Sequence, residues 1–227
     1  MNMNSKDRLA KRRIASYELP GASVLALNKV KWPVRIQDCA LVIHDMQNFW
    51  LGFYDDCSTM LANVVRLRAL CKQYGAPVVY TQAEKPKALA ERALGLEMWG
   101  PGLAAGYLSD SDRAICSALT PSEDDYVVRK PRYSGFFKTE LEDILQRTNR
   151  KHILLTGVFG HHGVLLTAAD AYMRNIKVSL VVDAISDYSL RDHEGTLAYV
   201  AEVCGALTTT ATAEQELLAS AQDESRT

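Results

Sequence analysis

The chain has 227 residues, 48% of them apolar, which suits one domain with a sizeable core. Its 26 basic and 27 acidic side chains leave a formal net charge of −1, so bulk charge selects neither a nucleic-acid nor a membrane partner. Residues 1–13 are basic but lack the apolar stretch of a secretory signal, and no apolar run approaches the length of a membrane span; a soluble cytoplasmic protein is expected.

Residues 1–37, with Pro20, Gly21 and Trp32-Pro33, read as an N-terminal arm packed along the domain. The run 39–44 is apolar and bounded by polar residues, the pattern of a strand covered on both faces. Asp45 follows where that strand runs out. A carboxylate there lies where open α/β sheets keep their ligands, which makes Asp45 a candidate acid or base. Leu61, Val64, Val65, Leu67, Leu70 and Cys71 then fall at helical spacing, and 77–81 reads as a second strand. Residues 82–122, with Pro86, Gly95, Trp99-Gly100-Pro101-Gly102, Gly106 and Pro121, form an irregular excursion of the kind that carries function.

Four further strands are predicted at 125–128, 152–156, 178–182 and 205–209. Helices are predicted behind Thr139, as an N-cap with Glu142 three residues later, and over 163–175, 189–203 and 213–221. Buried strands alternating with helices imply a parallel sheet covered on both faces, with right-handed crossovers. The domain is expected over 38–222, with 223–227 as a tail. The five cysteines are scattered and show no CxxC spacing, which indicates neither a disulfide framework nor a zinc site.

In a parallel sheet the strand ends share one edge, so Asp45, Lys130 and the turn Gly157-Val158-Phe159-Gly160-His161-His162-Gly163 should converge. A glycine-rich turn into a helix presents backbone N–H groups and a positive dipole end to a carboxylate or oxyanion. Taken singly, each element has a plainer reading: Asp45 as a cap, Lys130 as a solvated lysine, the glycines as backbone geometry. Adjacent His161 and His162 point different ways on a helix, so no metal is expected. His44 reads as packing or hydrogen-bonding within the sheet. Phe49, Trp50, Trp99, Phe136, Phe137 and Phe159 are either core or pocket-lining aromatics.

Several runs resemble isochorismatases: Asn28-Lys29-Val30-Lys31-Trp32-Pro33, Ile43-His44-Asp45-Met46-Gln47, Met98-Trp99-Gly100-Pro101-Gly102, Arg132-Tyr133-Ser134-Gly135-Phe136 and Gly157-Val158-Phe159-Gly160-His161. So do Ala169-Asp170-Ala171-Tyr172-Met173-Arg174-Asn175-Ile176 and Val182-Asp183-Ala184-Ile185-Ser186-Asp187-Tyr188-Ser189. The resemblance spans nearly the whole chain in order. It implies a three-layer α/β/α sandwich on a parallel six-stranded sheet. Amidohydrolases of the wider superfamily carry a nucleophilic Cys at the head of the helix after the fourth strand, where this chain has Gly163. Isochorismatases are similar to this chain in having Gly there, and they cleave a vinyl ether without a protein nucleophile.

The resemblance makes Asp45 the acid that protonates the enolpyruvyl methylene, and Lys130 the group that holds polar parts of the substrate and balances charge. To serve near neutral pH the carboxyl must hold a proton, which burial or the negative charge of a dianionic substrate favours. Arg92 would bind a substrate carboxylate; Phe49, Trp99 and Phe159 would shape the pocket; Gly160 and Gly163 would leave room for the pyruvyl group. Relatives read Tyr-Thr-Ala-Gln-Pro where this chain has Tyr80-Thr81-Gln82-Ala83-Glu84, so the amide has moved one residue, and Gln82 is carried over as a ligand with that shift. Phe159 replaces a common Tyr, and His162 stands where an aliphatic residue is usual. The implied activity is conversion of isochorismate to 2,3-dihydro-2,3-dihydroxybenzoate and pyruvate in siderophore or other secondary metabolism, without a cofactor and in a homodimer. The alternatives are hydrolysis of 2-amino-2-deoxyisochorismate in a phenazine-type pathway, and a catalytically silent binding relative. The chain ends soon after its last helix, so any aryl carrier protein is expected as a separate chain.

Overall fold

The computed structural model describes residues 13–224. Residues 1–12 of the expected arm and 225–227 of the expected tail lie outside the described residues. The apolar runs form β1 (Cys39–His44), β2 (Val78–Ala83), β3 (Tyr126–Lys130), β4 (His152–Gly157), β5 (Lys177–Ile185) and β6 (Ala206–Thr208). Between and after them lie α1 (Asn48–Leu51), α2 (Ser58–Gln73), α3 (Leu94–Trp99), α4 (Asp110–Arg113), α5 (Leu141–Arg147), α6 (Leu165–Met173), α7 (Leu190–Val203) and α8 (Thr210–Glu224). The six strands form one sheet in the order β3-β2-β1-β4-β5-β6, with every pairing parallel.

Alternation along β1 sorts the core into two layers. Leu41 and Ile43 pack with Val64 and Leu67 of α2 and with Ala213 and Leu217 of α8. Ala40 and Val42 face the other way, onto Leu141 and Ile144 of α5, Ala168 of α6 and Leu197 and Val200 of α7. Each strand side chain thus leaves water on whichever face it points to, which is why β1 and β4 read as unbroken apolar runs. The result is the α/β/α sandwich expected from the sequence.

Two local expectations differ. The predicted cap at Thr139 is displaced: α5 starts at Leu141, whose N–H donates to Thr139 Oγ1 at 3.3 Å, while Glu142 reaches Arg174 Nε at 2.9 Å instead of turning back to a capping position. The 82–122 excursion is more structured than its glycines and prolines suggest. It holds α3, α4 and three short 3₁₀ turns, and Ser109 and Asp112 form a reciprocal capping box at the start of α4. Asn28 exchanges two hydrogen bonds with the Leu207 backbone on β6, at 2.8 and 2.7 Å, and so occupies part of an otherwise unpaired sheet edge.

The chain leaves β1 toward α2 on one face and β4 toward α6 on the other. The crevice opens at this switch point, between the carboxyl ends of two adjacent strands.

Candidate active site

Asp45 is the first residue beyond β1 and sits in the left-handed region, with φ 50°, a conformation Asp tolerates better than most residues. Its N–H donates to the Thr81 carbonyl at 3.1 Å, which ties it to β2. Its two carboxylate oxygens are held from different strands. Thr81 Oγ1 of β2 donates to Oδ1 at 2.7 Å, and Lys130 Nζ of β3 donates to Oδ2 at 2.6 Å. Lys130 is only 2% exposed and Asp45 9%, so the ion pair is largely removed from water. Such pairs rarely repay their desolvation in stability, and one opening onto a cavity is a candidate for chemistry.

Behind Asp45, the fully buried His44 ring bridges two carbonyls. Nδ1 lies 2.9 Å from Val158 O and Nε2 lies 3.2 Å from Tyr133 O. Burial lowers the pKa of this imidazole; Asp45 and the two carbonyls pull against that, and Lys130 reinforces it. Beyond β4 the chain runs through a cis peptide between Val158 and Phe159 into a π-helical turn, Gly160–Val164, that leads into α6. Such turns are frequent at functional sites. Thr167 pins this one: its Oγ1 donates to Gly163 O at 2.6 Å and accepts from the Gly135 N–H at 2.8 Å.

These elements enclose a cavity of about 260 Å³ whose lining includes Asp45, Lys130, Gly163, Phe159, Arg92 and Trp99. Trp50, Tyr133, His162 and Tyr188 add to its aromatic wall. Trp99 Nε1 donates to Tyr133 Oη at 2.7 Å, and the His162 ring packs edge-on against Trp99 and Tyr188. Arg92 is fixed by its own loop. Nε donates to Gly100 O at 2.8 Å and Nη2 to Gly95 O at 3.1 Å, while partial burial presses its pKa down from the usual guanidinium range. The lining also includes Glu84, Glu91 and Arg132, but the buried Asp45–Lys130 pair and the half-buried Arg92 in a mostly apolar cavity suit a small polar ligand.

Comparison with known proteins gives this geometry a lineage. The isochorismatase domain family matches residues 39–212. The chain belongs to the isochorismatase family. It is 40% identical over 193 residues to enterobactin synthase component B of Escherichia coli K12, covering 83% of this chain and 67% of that protein. It is 37% identical over 195 residues to the isochorismatase of Bacillus subtilis, covering 84% of this chain and 62% of that one. The phenazine biosynthesis protein PhzD1 of Pseudomonas aeruginosa is 36% identical over 201 residues, with 87% of this chain and 95% of that protein covered. Among solved structures, a cysteine hydrolase from Pseudomonas syringae shares the fold, with a TM-score of 0.79 at 22% identity over 84% of this chain and 97% of that one.

The isochorismatase fold brings Asp45, Lys130, Arg92, Trp99, Phe159 and Gly163 to one cavity. The other residues carried over by resemblance stand apart from its lining. Phe49 is buried in the core, its ring centroid 5.1 Å from that of Phe53. Gly160 packs on Asp187, and a Cβ there would come within 2.5 Å of Asp187 Oδ2. The Gln82 amide donates to Arg113 O at 3.1 Å, while its neighbour Ala83 faces the cavity. This is the consequence of a one-residue shift on a pleated strand.

His161 and His162 diverge. Nδ1 of His161 bonds Asp187 Oδ1, whereas His162 turns into the cavity. Burial raises the pKa of Asp187 and the His161 contact opposes it. Among the described residues no group of three or more His, Cys, Asp or Glu is placed to hold a metal ion. Tyr133 and Tyr188 line the cavity without having been singled out by sequence. Applying the strand-end rule to β3 and β5 as strictly as to β1 would have found both.

Proposed function

We propose that this isochorismatase-family chain hydrolyses the enolpyruvyl ether of isochorismate, giving 2,3-dihydro-2,3-dihydroxybenzoate and pyruvate. The observation that carries the reading is Gly163 facing the Asp45–Lys130 pair in one cavity, so that the site offers an acid and a cation but no nucleophilic side chain at that position. Asp45 delivers a proton to the terminal methylene, and the resulting oxocarbenium ion is captured by water. The captured water returns one proton to the Asp45 carboxylate; the hemiketal then collapses as its C–O bond to the ring breaks, the proton of the new hydroxyl passes to the ring oxygen, and pyruvate leaves. Lys130 and Arg92 bind the two substrate carboxylates.

The relatives' names support a setting in siderophore or phenazine biosynthesis. The similarity to PhzD1, which extends over 95% of that protein, favours 2-amino-2-deoxyisochorismate as the second substrate to test. A cytoplasmic homodimer is the assembly proposed from family resemblance; among the described residues no helix is long and apolar enough to cross a membrane. The deciding assay couples pyruvate release to lactate dehydrogenase. Wild type should turn over one of the two vinyl ethers, and Asp45→Ala should lose ~10³-fold or more in kcat. No pyruvate from either substrate would leave only a binding role for the cavity.

A further inference from the structure

Gly163 is not empty for conformational reasons, because its backbone lies in the ordinary helical range of the π-turn. It is empty for reasons of space. A Cβ at this position would stand 2.2 Å from His44 Cε1, 2.7 Å from His44 Nε2 and 2.9 Å from the Tyr133 carbonyl oxygen. Contacts that short need something to move, and His44 is poorly free to do so. Its ring is fully buried and spans the loops after β3 and β4 through Tyr133 O and Val158 O. Closely packed interiors do not yield to an added methyl group without strain.

We propose that His44 sets the reaction class of the site: its imidazole fills the volume that any side chain at position 163 would need. It is a positioning residue, since it stands behind the cavity wall and lines none of it. With that volume filled, position 163 presents only backbone to the cavity, and water rather than a side chain at this position meets the cation. His44 Nδ1 lies only 3.7 Å from Asp45 Oδ2, so a side chain admitted in its place would emerge beside the Asp45–Lys130 pair. The inference rests on the cavity being the catalytic site, as proposed above, and not on the identity of the vinyl ether.

The test compares wild type, His44→Ala, Gly163→Cys and the double variant. Gly163→Cys alone should lower the melting temperature by ~5–10 °C. His44→Ala added to it should recover about half of that loss or more, whereas unconnected sites would simply add. A cysteine is chosen because its thiol can be trapped with p-nitrophenyl acetate. The thiolate attacks the ester carbonyl, a sulfur–carbon bond forms, p-nitrophenolate leaves, and one acetyl group stays on sulfur. Peptide mapping should find residue 163 acetylated ~10-fold faster or more in the double variant than in Gly163→Cys. The mapping also separates residue 163 from the native cysteines. Additive melting temperatures, a double variant no better folded than Gly163→Cys, or equal acetylation with His44 in place would each overturn the proposal. Neither readout uses a vinyl ether, so failure of the substrate reading leaves this test intact.

Discussion

Strands β1 and β4 run side by side, and each end of the pair holds a buried histidine. At the amino edge His152 stands opposite Cys39; at the carboxyl edge His44 stands opposite Gly157. Burial is nearly the same, 3% and 0% exposure, and in both it pushes the imidazole pKa down, for His152 to about 4. The surroundings differ. His152 Nε2 meets one hydroxyl, Ser179 Oγ at 2.8 Å, in closed core. His44 bridges two strand-end loops, approaches Asp45 and sits behind a glycine that opens on a cavity. Burial and a lowered pKa therefore do not mark function by themselves. What marks it is which edge of the sheet the group occupies, because only the carboxyl edge has diverging connections and a crevice between them.

The carboxyl edge should respond to mutation in activity, and most strongly at its buried cation. Lys130→Met removes the partner of Asp45 Oδ2 and the charge that a substrate carboxylate would meet. The kcat/KM for pyruvate release should fall ~10²–10³-fold. The melting temperature should drop by ~5–10 °C, because an uncompensated carboxylate is left in place. Retained activity would make this edge no more functional than the other.

Arg92 tests a different part of the same site, since it belongs to the 82–122 excursion and is held by loop carbonyls rather than by a strand. Arg92→Lys keeps the charge but loses the planar fork that reaches Gly95 and Gly100. Steady-state kinetics should show KM up ~10-fold with kcat within ~3-fold. A loss confined to kcat would instead move Arg92 from holding substrate to the chemical step.

The legible parts of this molecule were those governed by short periods. Continuous apolar runs named β1 and β4, and parallel pairing brought Asp45 and Lys130 together across a sequence separation of 85. Gln82, carried over as a ligand, instead bonds Arg113 O while Ala83 lines the cavity, as the two-residue period of a strand requires of a shifted amide. The parts that escaped depend on partners that no period connects. Gly160 is small because Asp187 lies against it, and His44 matters because of a glycine more than a hundred residues away. Phe49 looked like a pocket residue from its place after β1, but the single turn of α1 directs its ring into the core beside Phe53. In the excursion, helices of four to six residues are too short to display a helical period at all.

The smallest effect is expected at the amino edge, in stability alone. His152 is neutral in the folded protein down to about pH 4, held there by burial first and by Lys177 second, with Asp38 opposing; an unfolded histidine titrates near 6.5. Between those values the unfolded chain binds a proton that the native chain refuses, so stability rises with pH across this window. The contribution is whole above pH 6.5 and is lost as pH falls through the folded value near 4. His152→Gln can still reach the Ser179 hydroxyl but binds no proton. Its melting temperature, followed by circular dichroism from pH 7 to 4, should fall ~3–6 °C less than that of wild type. His193, likewise lowered to about 4 by burial, leaves a residual slope of the same sign. Pyruvate release by His152→Gln at pH 7 should stay within ~2-fold of wild type, because nothing at this edge touches the cavity. A lost rate would mean that the two ends of the β1–β4 pair are coupled through the strands, and that the division between a reactive edge and a structural one does not hold.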